Sequence, residues 1–328
     1  MSGGVIRAAT LAALTLLAVA AGTRAQEATL FSFRTGFWLH LHHFLYVLGR
    51  ADAGLPDSKR RAVAGAPADQ TAGLAVATPD EIAAWRAAVA AYARGPSRLD
   101  AIADAELWRA TAVLASLADE QPLLEAGLPG GMRTALDQAA PVYRRLWWPA
   151  HGRRSRTFVD ELQTWLRLEG AVIMAYVSWV YEQRWPLEGF PVEVSSYSNW
   201  AGAYSTGDRL LVVSSFDPGL SGSQGLEMLF HEAMHQWDTA MQERLEAAMS
   251  QRGQSRVPDG LLHALVFYTA GEAVRRAVPP HIPYAQGNGL WERGPLAPFK
   301  TRLDSTWRPH LRGDLTLTEA LDRLAAGK

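Results

Sequence analysis

The sequence predicts a mainly helical α+β protein with a small antiparallel or mixed sheet, and three observations carry that prediction. Apolar residues recur at close to a 3.6-residue period between helix start and stop signals over most of 29–184. After Trp185-Pro186 the character changes, and two short β-rich runs, 191–194 and 209–215, precede and follow a Gly207-Asp208 turn signal. Beyond Gly225 a long apolar helix is expected to about Gln251.

The elements follow in order. Residues 31–50, FSFRTGFWLHLHHFLYVLGR, read as one aromatic and histidine-rich helix ending at Gly49. The Ala-, Gly- and Pro-rich stretch 54–77 reads as a loop with one short helix. Thr78-Pro79-Asp80-Glu81 is a helix start, with a capping hydroxyl, Pro in the first turn and acids facing the positive helix end; Gly95-Pro96 stops that helix. Further helices are expected at 98–118, at 131–147 with a bend at Pro141, and at 153–184. The last has apolar positions Phe158, Leu162, Trp165, Leu166, Val172, Ile173 and Val177. The Gly207-Asp208 turn suggests that strands 191–194 and 209–215 pair antiparallel. Asp259 can cap a helix that ends before Pro279-Pro280, and a final amphipathic helix lies near 316–325. There is no internal repeat. The organisation expected is a leader at 1–25, a helical region at 26–185 and a second region at 186–328.

The chain has 328 residues, 48% of them hydrophobic, enough for a sizeable core. Its formal charge of -1 gives no basic surplus for nucleic acid or an anionic membrane. It contains no cysteine, which excludes disulfides, thiolate zinc sites and a cysteine nucleophile. Any metal site must therefore use His, Asp, Glu or water. Arg7, then an apolar run over 8–21, then small-residue patterns at Val19-Ala20-Ala21 and Thr23-Arg24-Ala25 read as an export signal, too short to span a bilayer comfortably. Its removal takes away Arg7 and Arg24 and moves the charge from -1 to -3. The expectation is an exported protein, periplasmic or secreted, with no stable membrane insertion after cleavage.

The chemistry sits in His231-Glu232-Ala233-Met234-His235, an H-E-x-x-H sequence. Residues four apart differ by about 40° around a helix, so both imidazoles leave one face and can bind one zinc ion. Zinc lowers the pKa of water that it holds, and the adjacent Glu232 can take the proton. Leu226, Leu229, Phe230, Met234, Trp237 and Met241 make the helix apolar, so the motif is expected to be partly buried and to need partners or a metal. A catalytic zinc takes three protein ligands and keeps one position open. The third ligand expected is Glu272, in Tyr268-Thr269-Ala270-Gly271-Glu272-Ala273, on an antiparallel helix that Gly271 lets approach closely. Asp238, three residues after His235, more easily orients an imidazole than binds. His263 lies nine residues before Glu272, about 900° of helical rotation, so the two point to opposite sides. With Glu272 at the metal, His263 is expected as a hydrogen-bonded core histidine.

This arrangement resembles the gluzincin metallopeptidases, the thermolysin-like families, over roughly 190–290. The resemblance implies a zincin-like catalytic half, ligation by His231, His235 and Glu272, and Glu232 as base and proton shuttle. It also implies a strand laid along the substrate backbone, from 197–206 or 209–215, and a peptide or protein substrate. It implies a His or Tyr that stabilises the oxyanion: His281 and Tyr284 occupy such a region, with Tyr204 and Tyr268 as rivals. Many of these families place Asp four residues after the ligand Glu; here that residue is Arg276. The other readings are a zinc-holding scaffold without activity, a zinc amidase acting on cell-wall or small molecules from a narrow pocket, and a metal-free helical interaction protein. His40, His42 and His43 have no acidic residue nearby and read as packed or substrate-facing. Trp147-Trp148-Pro149-Ala150-His151 with Arg153, Arg154 and Arg156 reads as core tryptophans at a solvated helix start.

Overall fold

The computed structural model describes residues 29–123, 127–129, 131–254 and 256–326. The leader expected at 1–25 lies outside them. The fold is mostly helical around one mixed four-stranded sheet. The strands are β1 (Phe31–Arg34), β2 (Phe190–Ser195), β3 (Ala203–Ser205) and β4 (Leu211–Ser214). The helices are α1 (Phe37–Asp52), α2 (Ala66–Leu74), α3 (Pro79–Arg94), α4 (Ala105–Ser116), α5 (Met132–Leu146), α6 (Trp148–Trp165) and α7 (Ala171–Tyr181). They continue as α8 (Ser223–Met234), α9 (Asp238–Ser250), α10 (Leu261–Ala277), α11 (Tyr284–Gly287), α12 (Lys300–Leu311) and α13 (Leu317–Ala325).

The Thr78–Glu81 capping box forms as its residues dictate, with each side chain closing on the other's backbone N–H. A second one, Thr316 with Glu319, starts α13. Asp259 does not cap α10; it pairs with Arg256, and Gly260 in a left-handed conformation takes the cap position.

The sheet runs β1-β2-β4-β3. β1 is not the start of a helix, as the aromatic density suggests: Phe31 and Phe33 alternate with Ser32 and Arg34, and this strand pairs parallel with β2. The two runs at 191–194 and 209–215 are also adjacent but parallel, Val192 opposite Leu211, which overturns the antiparallel expectation. The Gly207-Asp208 turn instead joins β3, which lies within the 197–206 stretch, to β4, and that pair is antiparallel, Tyr204 opposite Val212. A three-residue strand is too short for alternation to reveal it.

The expected 153–184 helix contains one turn of π-helix, Leu166–Gly170, between α6 and α7. Its buried positions explain it. Phe158, Leu162 and Gly170 face the core at spacings of four and eight, which drift around an ideal α-helix, and a wider turn takes up the drift before Ile173 and Val177. Val172, counted in the apolar period, consequently points outward and is exposed.

Two cores flank the sheet. One gathers α1 to α5 with Trp147, Tyr197, Tyr204 and Val212; the other gathers Phe31, α6 to α10, α12 and α13 with Val192, Val194 and Val213. The packing division therefore falls between Trp147 and Phe158, so that α6 and α7, assigned to the helical region by sequence, pack with the C-terminal half.

Candidate metal centre

Helix α8 packs between the sheet and α10, and this placement builds the site. The helix does not run unbroken to Gln251: a 3-10 turn, His235–Trp237, separates it from α9. The tighter turn leaves His231 and His235 with Nε2 atoms 3.1 Å apart. The third group is His263, whose Nε2 lies 3.3 Å from that of His231. The three histidines each offer a ligand atom, and these atoms lie within 4.8 Å of one another.

Glu272 is not among them. Its carboxylate is bound to Arg275, one turn along α10. The rotation argument that puts His263 and Glu272 on opposite sides of α10 holds; the choice between them is what the structure reverses. α10 turns its His263 face to α8, which carries Glu272 away from the imidazole pair. His263 is the candidate ligand the sequence reading passed over, and its signal was its half-turn relation to Glu272. Gly271 does permit close approach: a Cβ there would lie 2.6 Å from Pro283 and 3.2 Å from Glu227 Oε1.

The protonation states suit metal ligation. Burial, then the neighbouring His235 and His263, hold His231 well below the usual imidazole range. Burial and the proximity of His235 lower His263 to about 4, although the residue keeps an exposed edge. For His235, burial opposes the charge, but the Asp238 hydrogen bond and the Glu232 and Asp238 carboxylates outweigh it and raise the pKa. His235 Nδ1 donates to Asp238 Oδ2 at 2.7 Å, which leaves Nε2 as the lone-pair atom facing His231. Two nitrogens at 2.0–2.1 Å from one ion in tetrahedral geometry stand about 3.3–3.4 Å apart, close to the separations of His231 from His235 and from His263, with the third pair within 4.8 Å. His231 and His263, held neutral by burial, offer lone pairs at that spacing, and a cation among them displaces the proton that Asp238 and Glu232 favour on His235.

Glu232 is buried beside the cluster and hydrogen-bonds Ser205 on β3. Burial pushes its carboxyl up to about 7 against the opposing pull of His235 and Ser205. A cation among the histidines lowers it again by direct charge attraction.

The expected oxyanion donors are engaged elsewhere. His281 is buried, with Nε2 on Glu227 Oε2 at 2.6 Å and Nδ1 on Ser223 Oγ at 2.9 Å. Tyr284 receives a hydrogen bond from Arg61 at 3.3 Å, and its ring stacks on Phe267, which in turn lies against His231 and His263. Phe267 thus stands between Tyr284 and the imidazoles. Tyr204 bonds His43 and Thr111, and Tyr268 bonds Asp304 and Arg308. His40, His42 and His43 are buried and hydrogen-bonded to Ser155, Tyr92 and Tyr204 respectively, with His43 Nδ1 left without a partner. Burial drives them well below the usual range, His40 to about 3 and His42 to about 4, so they are packed histidines.

The fold and site together define an α+β protein with a three-histidine cluster able to hold a metal ion. No family model, no curated protein and no solved structure matches this chain.

Proposed function

We propose that the protein is an exported zinc-dependent hydrolase, a metallopeptidase in the manner of the gluzincins, with His231, His235 and His263 as ligands in place of two His and a Glu. The observation that carries this reading is the convergence of three Nε2 atoms from α8, its 3-10 extension and α10, with a carboxylate next to them. Three nitrogen donors and one open side are the ligand count of a catalytic zinc, and the exposed edge of His263 leaves that side to solvent. Zinc, when bound, supplies Lewis-acid polarisation of the scissile carbonyl and positive charge for the developing oxyanion. Glu232 takes the proton of the attacking water and delivers it to the leaving amine. Asp238 holds His235 in the tautomer that presents Nε2.

A peptide is favoured as substrate by β3. It is the edge strand, and its inward bonds run from Ser214 N to Gly202 O and from Thr206 N to Leu210 O. By antiparallel alternation the N–H and C=O of Ala203 and Ser205 face away from β4, and Ser205 is the residue that Glu232 touches. An extended chain pairing there passes beside the carboxylate.

The test is peptide cleavage by zinc-loaded protein, wild type against Glu232→Gln. The variant is expected to retain zinc and to lose cleavage. Equal cleavage by both proteins, or no zinc in either, refutes the assignment.

A further inference from the structure

At the start of α8, away from the three-histidine cluster, a second set of side chains is linked by hydrogen bonds that the proposed hydrolysis does not use. Ser223 and Glu227 stand four residues apart on α8 and so share one face. His281 lies between them, with Nδ1 2.9 Å from Ser223 Oγ and Nε2 2.6 Å from Glu227 Oε2. Glu227 Oε2 also accepts the Tyr284 N–H at 2.8 Å, which suits it as an acceptor for His281 Nε2–H. That tautomer leaves the Nδ1 lone pair to accept the Ser223 hydroxyl proton. A nucleophile, a base in contact with it and a carboxylate that orients the base are the parts of a serine acyl-transfer site.

Burial is divided among the three as such a site requires. Glu227 and His281 are 1% and 5% exposed, whereas Ser223 keeps a solvent-accessible part. Glu227 on Tyr284 N–H and Gln224 on the Ile282 carbonyl already tie the 278–284 loop to α8, so the Ser223 bond is not needed for that. Gly222, just before Ser223, has φ 60° and open space where a Cβ would stand, so an incoming acyl group meets no side chain there. Gly222 also lines an open hollow of about 340 Å³ with Glu161, Thr164, Trp165 and Leu168, whose apolar members suit a short acyl chain. No side chain caps the start of α8, which leaves the positive helix end beside Ser223 for an oxyanion formed there. His231 is eight residues further along α8, about 12 Å, so the two sites are separate.

We propose that Ser223, His281 and Glu227 form a serine acyl-transfer site that hydrolyses carboxylic esters of short apolar acids. Ser223 Oγ bonds to the ester carbonyl carbon while its proton passes to His281 Nδ1. The bond from that carbon to the alcohol oxygen then breaks, and the proton leaves with the alcohol. Water, giving a proton to His281, attacks the acylated Ser223, releases the acid and restores the hydroxyl. Glu227 is the positioning residue: it holds the imidazole in the required tautomer and stabilises its charged form. None of this rests on the metal centre.

The test treats the full chain with a fluorophosphonate, which forms a covalent adduct with an activated serine and none with a metal centre, and locates the adduct by mass spectrometry. A stoichiometric adduct at Ser223, formed by folded and not by urea-unfolded protein, is the expected result. Ser223→Ala should abolish it, and Ser221→Ala, at the exposed neighbour, should not; melting curves check that both variants fold. With p-nitrophenyl butyrate, wild type should release a burst of nitrophenolate equal to the chain concentration, and Ser223→Ala should show none. Glu227→Gln keeps an acceptor for both N–H groups but loses the charge, and should lower kcat by about 100-fold or more with KM within about twofold. No adduct, an adduct at another residue, equal labelling in urea, a burst that survives Ser223→Ala, or an unchanged kcat in Glu227→Gln overturns the proposal.

Discussion

Exchanging the third ligand gives the sharpest test of the site. His263→Ala removes one of three nitrogens that stand 3.1 and 3.3 Å apart, whereas Glu272→Ala removes a carboxylate bound to Arg275. Binding of about 10–16 kcal/mol for a four-ligand zinc site amounts to roughly 3–4 kcal/mol per protein ligand. At about 1.4 kcal/mol per factor of ten, losing His263 weakens zinc about 100- to 1000-fold. Glu272→Ala should leave affinity within about twofold, because its charge is already neutralised and sits on the other side of α10. His263 keeps an exposed edge, so its loss should cost little folding energy and the two effects separate. Competition of each protein against a chelating zinc indicator at fixed pH reads the affinities, with thermal melts of the metal-free proteins as control. Zinc lost in Glu272→Ala and retained in His263→Ala would refute the three-histidine site outright.

Asp238→Asn keeps a hydrogen-bonding group on His235 but removes the negative charge, and should weaken zinc about 10- to 100-fold in the same competition assay. Glu193 is buried in β2 between its two neighbouring strands; burial pushes its pKa up to about 7 from 4.5, with Arg34 and the Gly36 N–H pulling the other way. A carboxyl raised in the folded state binds its proton more tightly there, so stability falls as pH rises from 4.5 to 7 and stays reduced above. Glu193→Gln should therefore stabilise the protein by about 1–3 kcal/mol at pH 8 and by nothing below pH 4.5, read from urea melts across pH. Gly271→Ala forces a Cβ to within 2.6 Å of Pro283 and should cost about 1–3 kcal/mol by the same melts; an unchanged midpoint would show that the 278–284 loop yields freely.

Much of the architecture was legible because its signals are local. Thr78 to Glu81, Gly95-Pro96 and Thr316 to Glu319 bound their helices through contacts within one turn. The H-E-x-x-H spacing brought His231 and His235 to one face, and the 3-10 turn at His235 set their separation. The missed features are those set by remote partners. β1 gains its pairing from Phe190 to Glu193, some 159 residues away, and the alternation within FSFR is too short by itself to separate it from the helix that follows. The parallel pairing of β2 with β4 is decided by a third strand inserted between them in sequence and placed outside them in space. The π turn at Leu166–Gly170 reconciles two segments that bury different faces, and the outward turn of Val172 follows from it.

The sequence by itself determined the start of α3 at Thr78, the histidine pair, the neighbouring carboxylate and the fact that His263 and Glu272 must diverge, since each follows from covalent spacing along one helix. Only the tertiary structure decided which face of α10 meets α8, and hence that His263 joins the pair. The rotation of one helix against another is set by side chains such as Phe267 and by the space at Gly271 packed across the interface, and those contacts exist only once the helices have come together.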